Sequence, residues 1–128
     1  FGEIRNVNQI SLSSNGNRFA IGSDKYDSNK GQVRVFYWDE TTRAWIMEAT
    51  LDGKDNGKFF GTAISLSGDG KKLAVGSEEP SQVQVYEVKG GTSVGDQIVK
   101  GPKINQFGKP LSLSEDGNRL ALRSKPDS

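Results

Sequence analysis

The side chains in this chain that could do chemistry are carboxylates, lysines and aromatic rings, because there is no His and no Cys. That absence removes the Ser-His-Asp triad, the thiolate nucleophile and the imidazole metal ligand. It also removes disulfides. Acidic residues stand side by side at Asp39-Glu40, Glu78-Glu79 and Glu115-Asp116. Neighbours on a strand point to opposite faces, so these pairs read as solvated loop charges, not as a general acid and base. The expectation is no catalytic residue, no metal and no cofactor. Aromatic residues are better candidates: Phe36, Tyr37, Trp38, Trp45 and Tyr86 all fall in apolar runs. Two readings stand for them. They pack between neighbouring units, or Trp38 and Trp45 form a platform that stacks on a sugar or a peptide. Alternation within Phe36-Tyr37-Trp38 puts Tyr37 on one face and the other two on the opposite face. The remaining candidate is the polar loop from Asp24 to Gly31, which offers Lys25, Tyr26, Asp27, Asn29 and Lys30. A rigid scaffold often carries recognition on such loops. Loops also lengthen at little entropic cost, so a spacer reading stands beside the ligand-facing one.

What must position these residues is a phrase that the chain states three times. Ile10–Ser23 returns at Ile64–Ser77 and again at Leu111–Ser124, with starts 54 and then 47 residues apart. A repeat of this length is one supersecondary unit that stacks on its neighbours to bury its faces. Ile10 and Leu12 alternate with Ser11 and Ser13, the pattern of a half-buried strand. Asn15-Gly16, Asp69-Gly70 and Asp116-Gly117 then mark hairpin turns, since these residue types tolerate positive φ. Phe19 and Ile21 begin the second strand, with Ala20 between them at the phase of a close-packed face. Gln32–Trp38 and Gln82–Val88 read as third strands from their β-branched and aromatic content. A fourth strand carries Trp45, Met47, Ala49 and Leu51 on one face in the first unit. In the second unit only Asp96–Lys100 could pair. No stretch sustains helical spacing.

Composition fits short strands joined by polar turns: 33% hydrophobic, 26% charged and 16 Gly. Seventeen basic and 16 acidic residues give a net charge of +1 with no basic block. That lacks the electrostatic footprint of a nucleic-acid binder. No run approaches the ~20 apolar residues of a membrane span.

At this point the residues resemble a known family. Phe60-Gly61, Ile64, Asp69-Gly70, Leu73-Ala74-Val75-Gly76-Ser77 and Val83-Gln84-Val85-Tyr86 resemble the FG-GAP repeat of integrin-type β-propellers. Phe107-Gly108 opens the third copy at the same offset. The order also resembles WD-type repeats, with Trp38-Asp39 imitating their closing dipeptide. Two features depart from the pattern. FG-GAP repeats often carry a calcium loop, but here the turns read Ser-Ser-Asn-Gly, Ser-Gly-Asp-Gly and Ser-Glu-Asp-Gly. Those turns hold too few acids for a cation that takes about 6–8 oxygen ligands. Copy one also has Asn6-Val7 where the others have Phe-Gly.

The fold expected is all-β, built of four-stranded antiparallel meander blades of a β-propeller. About two and a half blades are present, counting against repeats of ~40–50 residues. Blade 1 covers about residues 4–53, blade 2 about 54–104, and a partial blade 3 about 105–128. Propellers close with about 4–8 blades. Three readings follow: a piece of a longer propeller, a ring closed by association of copies, or an open stack. The resemblance implies a non-catalytic module for protein interaction or structural assembly, in an adhesive, extracellular or cell-surface setting. A lectin-like propeller and the non-catalytic part of a propeller enzyme are the alternatives. Expected partners are a protein or the remaining blades of the same propeller, or a glycan on the lectin-like reading. Nucleic acid and a membrane span are not expected.

Overall fold

The structure is a computed structural model that describes residues 7–89, 98–104 and 110–123. Strands β1 (Gln9–Leu12), β2 (Arg18–Ser23), β3 (Gln32–Asp39) and β4 (Ala44–Asp52) form one antiparallel sheet in chain order. Strands β5 (Ala63–Leu66), β6 (Lys72–Ser77), β7 (Gln82–Val88) and β8 (Ile98–Ile104) form a second sheet of the same order. A third sheet holds β9 (Leu111–Leu113) and β10 (Leu120–Leu122). The all-β meander expected from the repeats is therefore present, and each sheet is open. β8 runs further than the sequence suggested, to Ile104. Asp96, Gln97, Phe107, Gly108 and Asn6 lie outside the described residues.

The hairpin turns explain the repeated phrase. Gly16, Gly70 and Gly117 each sit at φ 74°, the left-handed region that glycine enters without penalty. Ahead of each glycine the same small network recurs. Ser13 Oγ donates to Asn15 Oδ1 at 2.7 Å, and Arg18 N–H donates back to Ser13 Oγ at 3.1 Å. Ser67 with Asp69 and Lys72 repeats it at 2.7 and 2.9 Å, and Ser114 with Asp116 and Arg119 at 2.9 and 3.0 Å. The carboxylates are occupied in building turns. Hydrogen bonds from Ser67 and from the Lys71 backbone hold Asp69 below its ordinary value of 3.8. The Asn118 backbone and Ser114 lower Asp116 in the same way. A carboxylate depressed in the folded state adds stability above its unfolded pKa and loses it as pH falls through the folded value. Acid titration below 3.8 should therefore weaken the fold progressively. Asp69→Asn should flatten that limb when melting is followed from pH 5 to pH 2. Asn15 shows that an amide sustains the same turn. An unchanged acid limb in the variant would refute the assignment.

The sheets stack face to face. Ala20, Val33 and Val35 of the first sheet pack against Ile64, Leu66, Leu73, Val75, Tyr86 and Val88 of the second, with Ala49, Leu51 and Phe60 at the margin. The far face of the second sheet sets Ala63, Ala74 and Val83 against Leu111, with Val85, Leu113, Leu120 and Leu122 around them. Small residues on one face thus receive branched and aromatic residues from the next. Burying each of these larger side chains is worth about 1.5–3 kcal/mol. A serine hydrogen bond fixes the register at both junctions: Leu66 N–H donates to Ser11 Oγ at 2.9 Å, and Leu113 N–H to Ser65 Oγ at 2.9 Å.

One expected face is wrong. Trp45, Met47, Ala49 and Leu51 do not share a side. Val35 pairs with Ala49 but Phe36 pairs with Met47, so Glu48 is an extra residue in a β-bulge. Trp45 and Met47 therefore lie on the outer face, while Ala49 and Leu51 join the core. The bulge turns Glu48 inward, where its carboxylate meets Arg18. Leu120 and Leu122 of β10 face the second sheet, whereas Ala121 and Ser112 on the opposite face of the hairpin are exposed.

Candidate functional site

Two groups of residues were candidates, and the structure keeps them apart. The loop lies where β2 passes to β3, whereas Trp38 and Trp45 lie at the β3–β4 end. Gln32 and Trp38 are six residue steps apart along β3, or about 20 Å of strand.

At the Trp end, four rings form a chain on the outer face of the first sheet. Phe36 stacks on Phe19 with centroids 4.7 Å apart and planes at 13°. Trp45 meets Phe19 edge-on at 4.7 Å and Trp38 at 5.4 Å. The alternation read from Phe36-Tyr37-Trp38 holds, since Phe36 and Trp38 both join this cluster. Both Trp residues are half-buried. Beside them Ile10 is 69% exposed, Leu12 59% and Met47 52%. A contiguous apolar patch of this kind marks an interaction surface more often than isolated exposed residues do.

At the loop end, Lys25, Tyr26, Asp27 and Asn29 are exposed. A short turn, α1 (Tyr26–Asn29), interrupts the loop, and it is not a true helix. Asp27, Ser28 and Asn29 sit at φ 52°, 56° and 70°. L-residues avoid that region by about 1–2 kcal/mol each, with Asn and Asp the most tolerant. The conformation is held from outside. Phe59 N–H donates to Asn29 O at 2.7 Å, Phe60 N–H to Lys30 O at 3.2 Å, and Gly53 N–H to Gly31 O at 2.9 Å. The loop is therefore stitched to the segment leading into the second unit, and a free spacer is the wrong description of it. The sequence signal for this was Gly31 and Gly53, which permit the close approach.

Beside this seam a cleft of about 400 Å³ opens between the first two sheets, lined by Lys30, Lys54, Lys58, Glu79, Gln84 and Tyr86 among others. Lys30 pairs with Asp55 at 3.2 Å and with Asp27 at 3.5 Å, and the Asp55 hydrogen bond leads in raising its pKa. Burial pushes the Tyr86 hydroxyl up to about 12, so it stays protonated. The cleft mixes both signs of charge and places no activated nucleophile beside a base. Among the described residues, no group of three or more acids gathers as a metal site would require, and no helix is long and apolar enough to cross a membrane.

No protein-family model and no curated protein matches the chain. A chain in the solved complex of KlAtg21 with coiled-coil of AgAtg16 is similar in fold, with a TM-score of 0.65 at 20% identity. The match covers 91% of the present chain and 36% of that one, so this chain spans about a third of its length.

Proposed function

We propose that the chain is a run of β-propeller blades serving as a non-catalytic module for protein interaction or structural assembly. The observation that carries this reading is the repeated junction. Two successive junctions use the same faces and the same hydrogen bond from a leucine N–H to a serine Oγ, so the stack can continue in one direction. The fold likeness to a chain of which the match covers 36% agrees with a larger assembly of such units. That structure was solved as a complex with a coiled coil, which favours a protein as the partner class. Exposed apolar residues beside the Trp pair supply the kind of surface that a protein partner buries. Electron microscopy of the native protein tests the reading, with a closed ring around a central channel as the expected result. An open linear stack would overturn it.

A lectin-like function is the second reading, favoured by the partial exposure of Trp38 and Trp45. It requires saturable quenching of Trp fluorescence by at least one member of a glycan panel, removed by Trp38→Ala. The T-shaped pairing already engages Trp45 on two sides, which makes a protein partner the better fit.

A further inference from the structure

The cleft between the first two sheets contains a polar group that the fold does not use. Tyr86 lines it and is only 6% exposed. Among the described residues its hydroxyl has no hydrogen-bond partner, whereas a buried phenol O–H usually finds one. Packing does not require the hydroxyl either. Tyr86 pairs with Leu73 of β6 as Phe36 pairs with Phe19 of β2, so a bare ring fills the same place in the first unit. The hydroxyl therefore costs desolvation and returns no bond within the fold.

The groups that share the cleft with it are mostly free donors. Gln82 lies on the same face of β7, and its side chain has no partner among the described residues. Lys54 and Lys58 line the cleft without an ion pair, in contrast to Lys30, which Asp55 and Asp27 hold. Together with the Tyr86 O–H they can serve the roughly four lone-pair sites of a carboxylate. Two acids limit the charge that can enter. Asp52 and Glu79 stand on the same walls, and both would repel a dianion. Leu51 and Phe60 give the cleft an apolar side. Its volume of about 400 Å³ suits a small molecule or a single side chain with its terminus.

We propose that this cleft binds a monocarboxylate carried on a small apolar body, with the Tyr86 hydroxyl donating to one carboxylate oxygen. Lys54 and Lys58 neutralise the charge, and Leu51 and Phe60 cover the body. The group belongs either to a free acid or to the last residue of a peptide. The inference does not rest on the assembly reading. Both walls of the cleft belong to the first two sheets, so it is the same whatever precedes β1 or follows β10.

Nuclear magnetic resonance of the isotope-labelled chain tests the site, with sodium phenylacetate as the probe. The amides of Phe60, Gln82 and Tyr86 should shift saturably in the millimolar range. Phenylethanol, which lacks the charge, and phenyl phosphate, a dianion above its second pKa, should bind more weakly. A tetrapeptide ending in phenylalanine separates the two sources. Tighter binding of the peptide assigns a chain terminus, tighter binding of phenylacetate a free acid, and either supports the site. Tyr86→Phe should weaken binding about tenfold or more, the usual worth of a hydrogen bond to a charged group. Without ligand, Tyr86→Phe should melt no lower than wild type, because no bond within the fold is lost. No saturable shift with either carboxylate would overturn the proposal, as would unchanged affinity in Tyr86→Phe. Equal or tighter binding of phenylethanol or phenyl phosphate would overturn it too. So would a lower melting temperature of ligand-free Tyr86→Phe, since the hydroxyl would then already be satisfied in the fold.

Discussion

Arg18→Ala should destabilise the chain by about 3–5 kcal/mol, the usual consequence of leaving a buried charge without its partner. The Glu48 side chain is 1% exposed, and Arg18 Nε lies 2.5 Å from its Oε1. A second contact joins Nη2 to Oε2 at 3.3 Å, and Nη1 donates to Gly70 O at 2.8 Å. Arg18 therefore neutralises the bulge residue of its own sheet and grips the hairpin turn of the next. Lysine cannot do both, since its ammonium lacks the planar fork. Lys72, at the same place in the second unit, grips the turn beyond it, donating to Asn118 Oδ1 at 3.1 Å. Removing both charges separates the pair's net worth from the penalty of an orphaned carboxylate. Arg18→Met combined with Glu48→Leu should recover most of the loss, because a well-packed apolar pair matches or exceeds a buried ion pair by about 1–4 kcal/mol. Urea titrations of both single variants and the double variant check this. A single-variant loss below about 1 kcal/mol would put the bridge with ordinary surface pairs.

The same pair shows where sequence reasoning stops. Strand positions and the close-packed phase at Ala20 and Ala74 followed from period-2 alternation, which a sheet stacked on both faces enforces, whereas Ala121 at the same phase is exposed. The bulge did not follow. Trp45, Met47, Ala49 and Leu51 keep a regular spacing, and nothing local distinguishes Glu48 from the acids that stay in solvent. Its partner lies 30 residues away, so the inward turn is a tertiary choice. The roles of Ser13, Ser67 and Ser114 were missed for a related reason. Each serine looked like the polar half of an alternating strand, while its hydroxyl accepts a backbone N–H five residues on. For the candidate site, alternation was enough to put Phe36 and Trp38 on one face. Pairing across the strands was needed to bring Phe19 and Trp45 to them. The loop from Asp24 to Gly31 read as exposed and polar, which holds for its side chains. Its backbone is tied to Phe59 and Phe60, contacts that Gly31 and Gly53 permit but whose partner segment the local pattern does not name.

That seam sets the other large effect. Gly31→Ala should cost about 2–6 kcal/mol, combining positive-φ strain of about 1–3 kcal/mol with overpacking of about 1–3 kcal/mol. Gly31 sits at φ 90°, and a Cβ there would lie 2.0 Å from Phe60 O and 2.7 Å from Phe60 N. Both atoms belong to backbone, so no side chain can swing aside. The parallel bridge from Gly31 to Phe60 must open, taking with it the bonds that hold Asn29 and Lys30. Two further substitutions separate the causes. Gly16 shares a left-handed φ of 74° but faces open space, so Gly16→Ala should lose only about 1–2 kcal/mol. At Gly53 the trouble is space alone, since a Cβ would meet Lys30 O at 1.9 Å without a positive φ. Gly53→Ala should therefore fall nearer to Gly31→Ala than to Gly16→Ala. Hydrogen exchange gives the mechanism a local readout. In Gly31→Ala the amides of Phe59 and Phe60 should lose protection first, while those of β6, between β5 and β7, keep theirs. If Gly31→Ala lost no more than Gly16→Ala while Gly53→Ala melted with wild type, strain alone would explain Gly31, and the backbone seam would carry no weight in joining the first two units.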